Sequence, residues 1–137
     1  MMEADFRAIL IANAALTVLV CDRVFFQAAP QDERRPRVLI RLAHYQHRTL
    51  AGANNDYTTQ ASIDVLANTY REACTLGNAV QVALQDVRFK TQGDTIFNLI
   101  HADNADDIPA MPQAATSTAT FGRNIRARIE WQPRITP

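Results

Sequence analysis

The stretch Arg37–Ala67, RVLIRLAHYQHRTLAGANNDYTTQASIDVLA, decides the fold class. In its first part Val38, Ile40 and Leu42 fall on one face of an extended chain and Arg41, Ala43 and Tyr45 on the other, because successive side chains of a strand point to opposite sides. Its last part repeats the pattern, with Ala61, Ile63, Val65 and Ala67 set against Gln60, Ser62 and Asp64. Between them, residues 49–56 (TLAGANND) are rich in turn formers through Gly52, Asn54 and Asn55. Two alternating runs around one turn-rich segment predict an antiparallel hairpin with strands over 37–47 and 57–67.

The hairpin leads directly into a helix. Thr69-Tyr70-Arg71-Glu72 has the S/T-x-x-E form of a capping box, in which each side chain satisfies a free backbone donor. The spacing predicts a helix from Tyr70 to Gln85 with an apolar stripe of Ala73, Leu76, Gly77, Val80 and Leu84, and Gly77 permits close approach to a sheet. Upstream, residues 2–12 read as a helix, because Phe6, Ile9, Leu10 and Asn13 fall at helical spacing and Glu3 and Asp5 sit at its positive end. Residues 14–20 continue as a second helical stretch, bent at Asn13, and Val24–Phe26 reads as a short strand. Residues 27–36, with two prolines and four charges, read as a loop. Downstream, Thr95–His101 reads as a strand. Residues 102–119 are acidic, then rich in Pro, Ala, Ser and Thr, and read as a long flexible surface loop. Thr120–Gln132 is a final strand: Ile125, Ala127, Ile129 and Trp131 face one way, Asn124, Arg126, Arg128 and Glu130 the other. The order α-β-β-β-α-β-β indicates an α+β domain spanning residues 1–137, an antiparallel or mixed sheet of about four to five strands with helices packed on one face.

Composition narrows the function. The chain has 137 residues, 47% hydrophobic and 20% charged, as suits a globular domain. Fourteen basic and fourteen acidic side chains give zero formal net charge. That argues against a general nucleic-acid binder, which needs a basic excess, and tolerates self-association. The charge is segregated: residues 31–48 and 123–137 are basic, residues 49–122 acidic. The apolar run Ala14–Cys21 is too short to span a bilayer. The acidic N-terminus does not resemble an export signal, so Cys21 and Cys74 are expected to be free and buried.

No constellation points to catalysis. His44 and His47 lie three apart on a strand and should face opposite ways, which defeats joint metal ligation. Asp103, Asp106 and Asp107 lack the remaining ligands of a calcium loop. The chain contains no G-x-S-x-G elbow, no phosphate-binding glycine loop and no CxxC pair. Catalytic, cofactor and metal sites are therefore all expected to be absent. The alternating Arg126 and Arg128, with Arg123 and Arg134 nearby, form a basic strand face suited to an acidic protein partner; it lacks aromatics for stacking bases.

The order and spacing of several short motifs carry a resemblance. They are Leu19-Val20, Asp22-Arg23-Val24, Ala29-Pro30-Gln31, Thr49-Leu50 with Gly52, Ser62-Ile63-Asp64-Val65, Thr69-Tyr70 and the Glu72–Leu84 helix, followed by Arg126, Ile129 and Trp131 in the last strand. In this the chain resembles the phage tail-completion or tail-terminator family, with a cysteine at position 21 where glycine is more typical and a poorly matched segment at 102–119. The resemblance implies a structural virion protein of a phage, prophage or gene transfer particle, assembled in the host cytoplasm. It implies a homo-oligomeric, commonly six-fold, ring that caps the head-proximal end of a non-contractile tail tube, ends its polymerisation and meets the head–tail connector. DNA would pass through such a ring without sequence-specific contacts, and no membrane is involved. The interface is expected to use Arg123, Arg126 and Arg128 against the Asp103, Asp106 and Asp107 segment of a neighbour, together with Arg34, Arg35, Thr49, Leu50 and Gly52 in the loops. A head-completion or neck protein of the same particle, a small enzyme and a nucleic-acid-binding module remain as alternatives.

Overall fold

The computed structural model describes residues 2–21, 23–26, 37–49, 52–85, 87–112 and 119–133; in residues 46–49, 52–55, 103, 109–112, 119 and 120 only the backbone is described. In chain order the elements are α1 (Met2–Ile11), α2 (Ala14–Val20), β1 (Val24–Phe26), β2 (Arg37–Thr49), β3 (Gly52–Ala67), α3 (Tyr70–Leu84), β4 (Arg88–Gln92), β5 (Thr95–Pro112) and β6 (Ala119–Pro133). The strands form one six-stranded sheet in the order β1-β2-β3-β6-β5-β4. The sheet is mixed because β1 runs parallel to β2 while the other neighbours are antiparallel. The α+β class therefore holds, with one strand more than expected.

The bend between α1 and α2 has a local cause. Asn13 caps α2, its side-chain oxygen accepting from the Leu16 amide at 3.1 Å, which satisfies one of the unpaired donors of a helix start. The α3 cap is equally local, with the Glu72 amide donating to Thr69 Oγ1 at 3.1 Å. The expected stripe of α3 is the buried one: Ala73, Leu76, Gly77, Val80 and Leu84. It lies on the face of the sheet lined by Val38, Ile40, Ile63, Val65, Ile125 and Ile129, all inaccessible to solvent. Phe6, Leu10 and Leu16 close the same core from α1 and α2. Each such side chain contributes about 1.5–3 kcal/mol on burial.

Polar groups in this core are matched. Thr59, fully buried, accepts from Trp131 Nε1 at 2.8 Å and is hydrogen-bonded to His44 Nδ1 at 2.8 Å. Thr95 donates to Asp5 Oδ2 at 2.7 Å, tying α1 to the β4–β5 turn. That turn has only Gly93 and Asp94 between the paired Gln92 and Thr95, and Gly93 supplies its positive φ of 58°.

Four expectations are corrected. The hairpin strands run much further than 47 and 57: Thr49 pairs with Gly52, so most of TLAGANND is strand, and a bulge between Gln46 and Arg48 breaks the strict alternation that the argument on His47 assumed. Residues 102–112 are not a loop but the second half of β5; residues 113–118 lie outside the described residues. Beyond Ile100, whose amide still donates to the Val87 carbonyl at 3.0 Å, that strand pairs among the described residues with β6 alone, and an edge tolerates aspartates and a proline that a central strand would not. The extra strand, β4, is also an edge, with Arg88, Phe89, Lys90 and Thr91 all exposed, so it shows no apolar alternation. Finally, Cys21 is free but exposed, and Cys74 is free and half-buried; Cys21 ends α2 with φ 56°, a helix-terminating position on the surface.

Candidate subunit and partner interface

Among the described residues the helices cover one face of the sheet and none lies on the other. Strand register arranges that bare face in rows across β2, β3, β6 and β5. One row is Leu39, Asp64, Asn124 and Asp106; the next Arg41, Ser62, Arg126 and Asn104; the next Ala43, Gln60, Arg128 and His101; the last Tyr45, Thr58, Glu130 and Leu99. Three arginines thus occupy the two middle rows, with acidic groups in the rows on either side. The sheet curls around these middle rows to form an open concavity of about 640 Å³, lined by Arg41, Gln60, Ser62, Asn104, Arg126 and Arg128 among others.

Two of the arginines are held. Arg41 donates through Nη2 to Asp64 Oδ2 and Ser62 Oγ, both at 3.3 Å. Asn124 Nδ2 adds bonds to Asp64 Oδ1 at 2.7 Å and Ser62 Oγ at 2.8 Å, so the carboxylate is gripped from both sides. Arg128 pairs with Glu130 at 3.1 Å along its own strand. Arg126 is exposed, and among the described residues it makes no hydrogen bond or ion pair. A guanidinium is a planar set of donors that matches a carboxylate in two parallel bonds. The concavity can therefore take an acidic side chain of another molecule at Arg126 while Arg41 and Arg128 add positive potential.

The remaining expected interface residues are dispersed. Arg123 is the fifth residue of β6 but does not join Arg126 and Arg128, since odd positions there face the helices. Its side chain passes over Gly77, where a Cβ would come within 2.8 Å of Arg123 Cδ. It ends between Cys74 and Asp107: Nη2 donates to Cys74 Sγ at 3.1 Å and Nε to Asp107 Oδ1 at 3.3 Å. The Tyr70 hydroxyl donates to Asp107 Oδ2 at 2.7 Å. That bond, helped by Arg123 against some desolvation, holds the Asp107 carboxyl below the usual carboxylate range. The same bond, with Cys74 and the Asp107 charge, raises the Tyr70 phenol. Burial works against the Arg123 charge, but Cys74 and Asp107 outweigh it and the net shift is upward. Asp107 and Arg123 are thus spent on joining α3 to β5 and β6 within one chain. Asp106 lies on the bare face opposite Asn124. Asp103 lies in β5 with only its backbone described, as do Thr49 and Gly52 at the hairpin end. Arg34, Arg35 and Leu50 lie outside the described residues.

Sequence reasoning missed Arg41, Ser62, Gln60 and Asn104 as parts of this face. A signal existed for the first three: they share the polar parity of their strands, and antiparallel register does the rest. Asn104 could not be placed while its segment read as a loop. Elsewhere, His44 Nε2 lies 3.4 Å from Glu3 Oε1 and its ring meets Trp131 edge-on at 6.5 Å. That arrangement sets the middle of β2 against the start of α1. Among the described residues no group of three or more His, Cys, Asp or Glu side chains is placed to hold a metal ion, and no helix is long and apolar enough to cross a membrane.

Comparison with known proteins agrees with this architecture. A family model described as "Tail completion protein gp17" matches residues 4–128. Among solved structures, the chain is similar to one in the "Virion of native gene transfer agent (GTA) particle", with a TM-score of 0.67, 19% sequence identity and 94% of each chain covered. That likeness is one of fold. No curated protein sequence matches.

Proposed function

The chain belongs to the tail completion protein gp17 family, and we propose that it works as a ring-forming cap on the head-proximal end of a phage-type tail tube, where it stops tube growth and offers the joining surface to the head connector. Family membership makes it a structural protein of the virion tail. The finer reading, of a ring that ends the tube, draws its support from the bare sheet face. Among the described residues the six-stranded sheet carries helices on one side only, which leaves its second face open to other molecules, and that face is concave and carries Arg126, which is unengaged among the described residues. Such a face suits contact with an acidic patch on a neighbouring subunit, on the tube or on the connector. Zero net charge removes the long-range repulsion that would oppose packing many copies together. The role so described is positional and needs no catalytic group.

The test combines mass and location. Light scattering on the purified chain, alone and with tail tubes, should give a discrete mass of about six 15.3 kDa subunits or a ring seen by electron microscopy on one tube end only. The double variant Arg126→Glu/Arg128→Glu should keep its circular dichroism spectrum, since both side chains are exposed, and lose tube-end or connector binding. A chain that neither forms a ring nor occupies a tube end, with or without salt, would overturn the reading. Binding to connector but never to tube would move it to the neck.

A further inference from the structure

Phe89 is anomalous in two independent ways. Its φ is 50°, a region that residues other than glycine adopt rarely and aromatic ones still less. Its ring is also 82% exposed. The ladder between β4 and β5 registers Arg88 with Leu99 and Lys90 with Phe97 but makes no pair at Phe89, and β5 bulges away from β6 at the same level, between Phe97 and Leu99. The distortion turns a large apolar ring outward from an edge strand. Strain of this kind persists where the surroundings hold it and marks a position with a task.

The same chain carries a matching groove. Along α2 and α3, Ala15, Val18, Leu19, Ala79 and Val82, with Thr75 and Asn78, line an open trough of about 430 Å³. Val18 is 81% and Val82 60% exposed. The one polar side chain of α2, Thr17, turns its hydroxyl back to the Ile11 and Asn13 carbonyls at 2.6 and 2.9 Å, so the outer surface of that helix is wholly apolar.

We infer that Phe89 of one copy seats in the α2–α3 groove of the next copy, as a head-to-tail contact between subunits. The inference rests on the ring reading and names its contact. Knob and groove sit on different elements of one chain, an arrangement that can propagate head to tail from copy to copy and closes if the rotation allows. The exposed Arg88 and Lys90 on either side of Phe89 discourage direct strand-to-strand pairing at this edge, so the ring, not the backbone, makes the contact. An aromatic anchor in an aliphatic pocket is the usual centre of a strong interface.

The experiment compares the full-length chain with Phe89→Gly and Val18→Glu by concentration-dependent light scattering and by tube-end occupancy. Both positions are exposed, so each variant should fold. Phe89→Gly, relieved of its positive φ, should melt at or above the wild-type temperature while self-association falls by roughly tenfold or more. Val18→Glu should weaken association similarly. An equimolar mixture of the two should recover a single contact and give a dimer, since one variant keeps the groove and the other the knob. Wild-type assembly by both variants, at wild-type affinity, would overturn the contact and leave the ring reading standing. A wild-type chain that assembles neither alone nor on tubes would overturn both.

Discussion

Replacing Gly122 by alanine should lower the melting temperature by about 5 °C. Gly122 is buried in β6, paired with Leu66 of β3 on one side and Ile108 of β5 on the other. Its φ is not positive, so alanine strains no backbone angle there. Given free space, removing a glycine from a strand interior would stabilise by about 0.5–1 kcal/mol through the unfolded chain. The space is absent: a Cβ would stand 2.9 Å from Leu66 Cδ2, 3.1 Å from Ile108 Cδ1 and 3.0 Å from the Val65 carbonyl oxygen. The two methyl groups can rotate away, but the carbonyl belongs to the central ladder and cannot move without disturbing it. Overpacking of this kind costs about 1–3 kcal/mol, leaving a net loss of about 1.5 kcal/mol. With an unfolding entropy of about 2.1 cal/mol/K per residue over 137 residues, that loss corresponds to the stated fall. Differential scanning calorimetry of Gly122→Ala beside Gly77→Ala makes the comparison. At Gly77 the obstacle is only Arg123 Cδ, at 2.8 Å in a flexible side chain. There the helical gain of about 1 kcal/mol offsets the loss of the contacts of Arg123 to Cys74 and to the exposed Asp107, and melting should shift by less than about 2 °C. A Gly122→Ala chain that melts at or above wild type would refute the argument that a fixed carbonyl decides this position.

Three further outcomes are expected. Thr69→Ala removes the acceptor for the Glu72 amide and should cost about 1 kcal/mol in urea unfolding. Leu76→Ala, at a side chain of zero exposure on the buried stripe of α3, should cost about 2–5 kcal/mol in the same assay. The Tyr70–Asp107 bond gives opposite pH signatures. Because Asp107 is lowered in the fold, its contribution is present above the ordinary carboxylate pKa and fades as pH falls through the folded value. Because Tyr70 is raised, its contribution is present below the ordinary phenol pKa and fades as pH rises through the folded value. Melting scans against pH should therefore show Asp107→Asn converging on wild type at the acid end and Tyr70→Phe converging at the alkaline end.

The motifs Leu19-Val20 to Trp131 carried the family in their order along the chain, and the family model over residues 4–128 agrees. The basic face was legible in part. Alternation put Arg126 and Arg128 together, and the bare sheet face holds both. The same reasoning grouped Arg123 with them by proximity in sequence, whereas strand parity turns it under α3. The segment 102–112 read as a loop because Asp103, Asp106, Asp107 and Pro109 are poor strand formers. What keeps it extended is the antiparallel ladder to β6, the next strand in the chain, with bulges at Ala102/Asn104 and Ile108/Met111 absorbing the irregularities.

By itself the sequence determined what local periodicity and capping can determine. It set the hairpin's two faces, the α3 stripe with its Thr69 cap, the α1–α2 bend at Asn13, and the mixed class of the fold. Those features depend on residues within a turn or two of each other, or on the two-residue period of one strand. Tertiary structure alone decided the rest: the order β1-β2-β3-β6-β5-β4, the parallel pairing of β1, the rows that place Arg41 and Arg126 on either side of Ser62, the Tyr70–Asp107–Arg123–Cys74 cluster, and the outward turn of Phe89. Each of these joins residues from different elements, from 7 positions apart at Lys90 and Phe97 to 85 at Arg41 and Arg126. Which pairs meet is fixed by how one strand's register fits all its neighbours at once while the apolar faces share a single core, and no short window of sequence contains that sum.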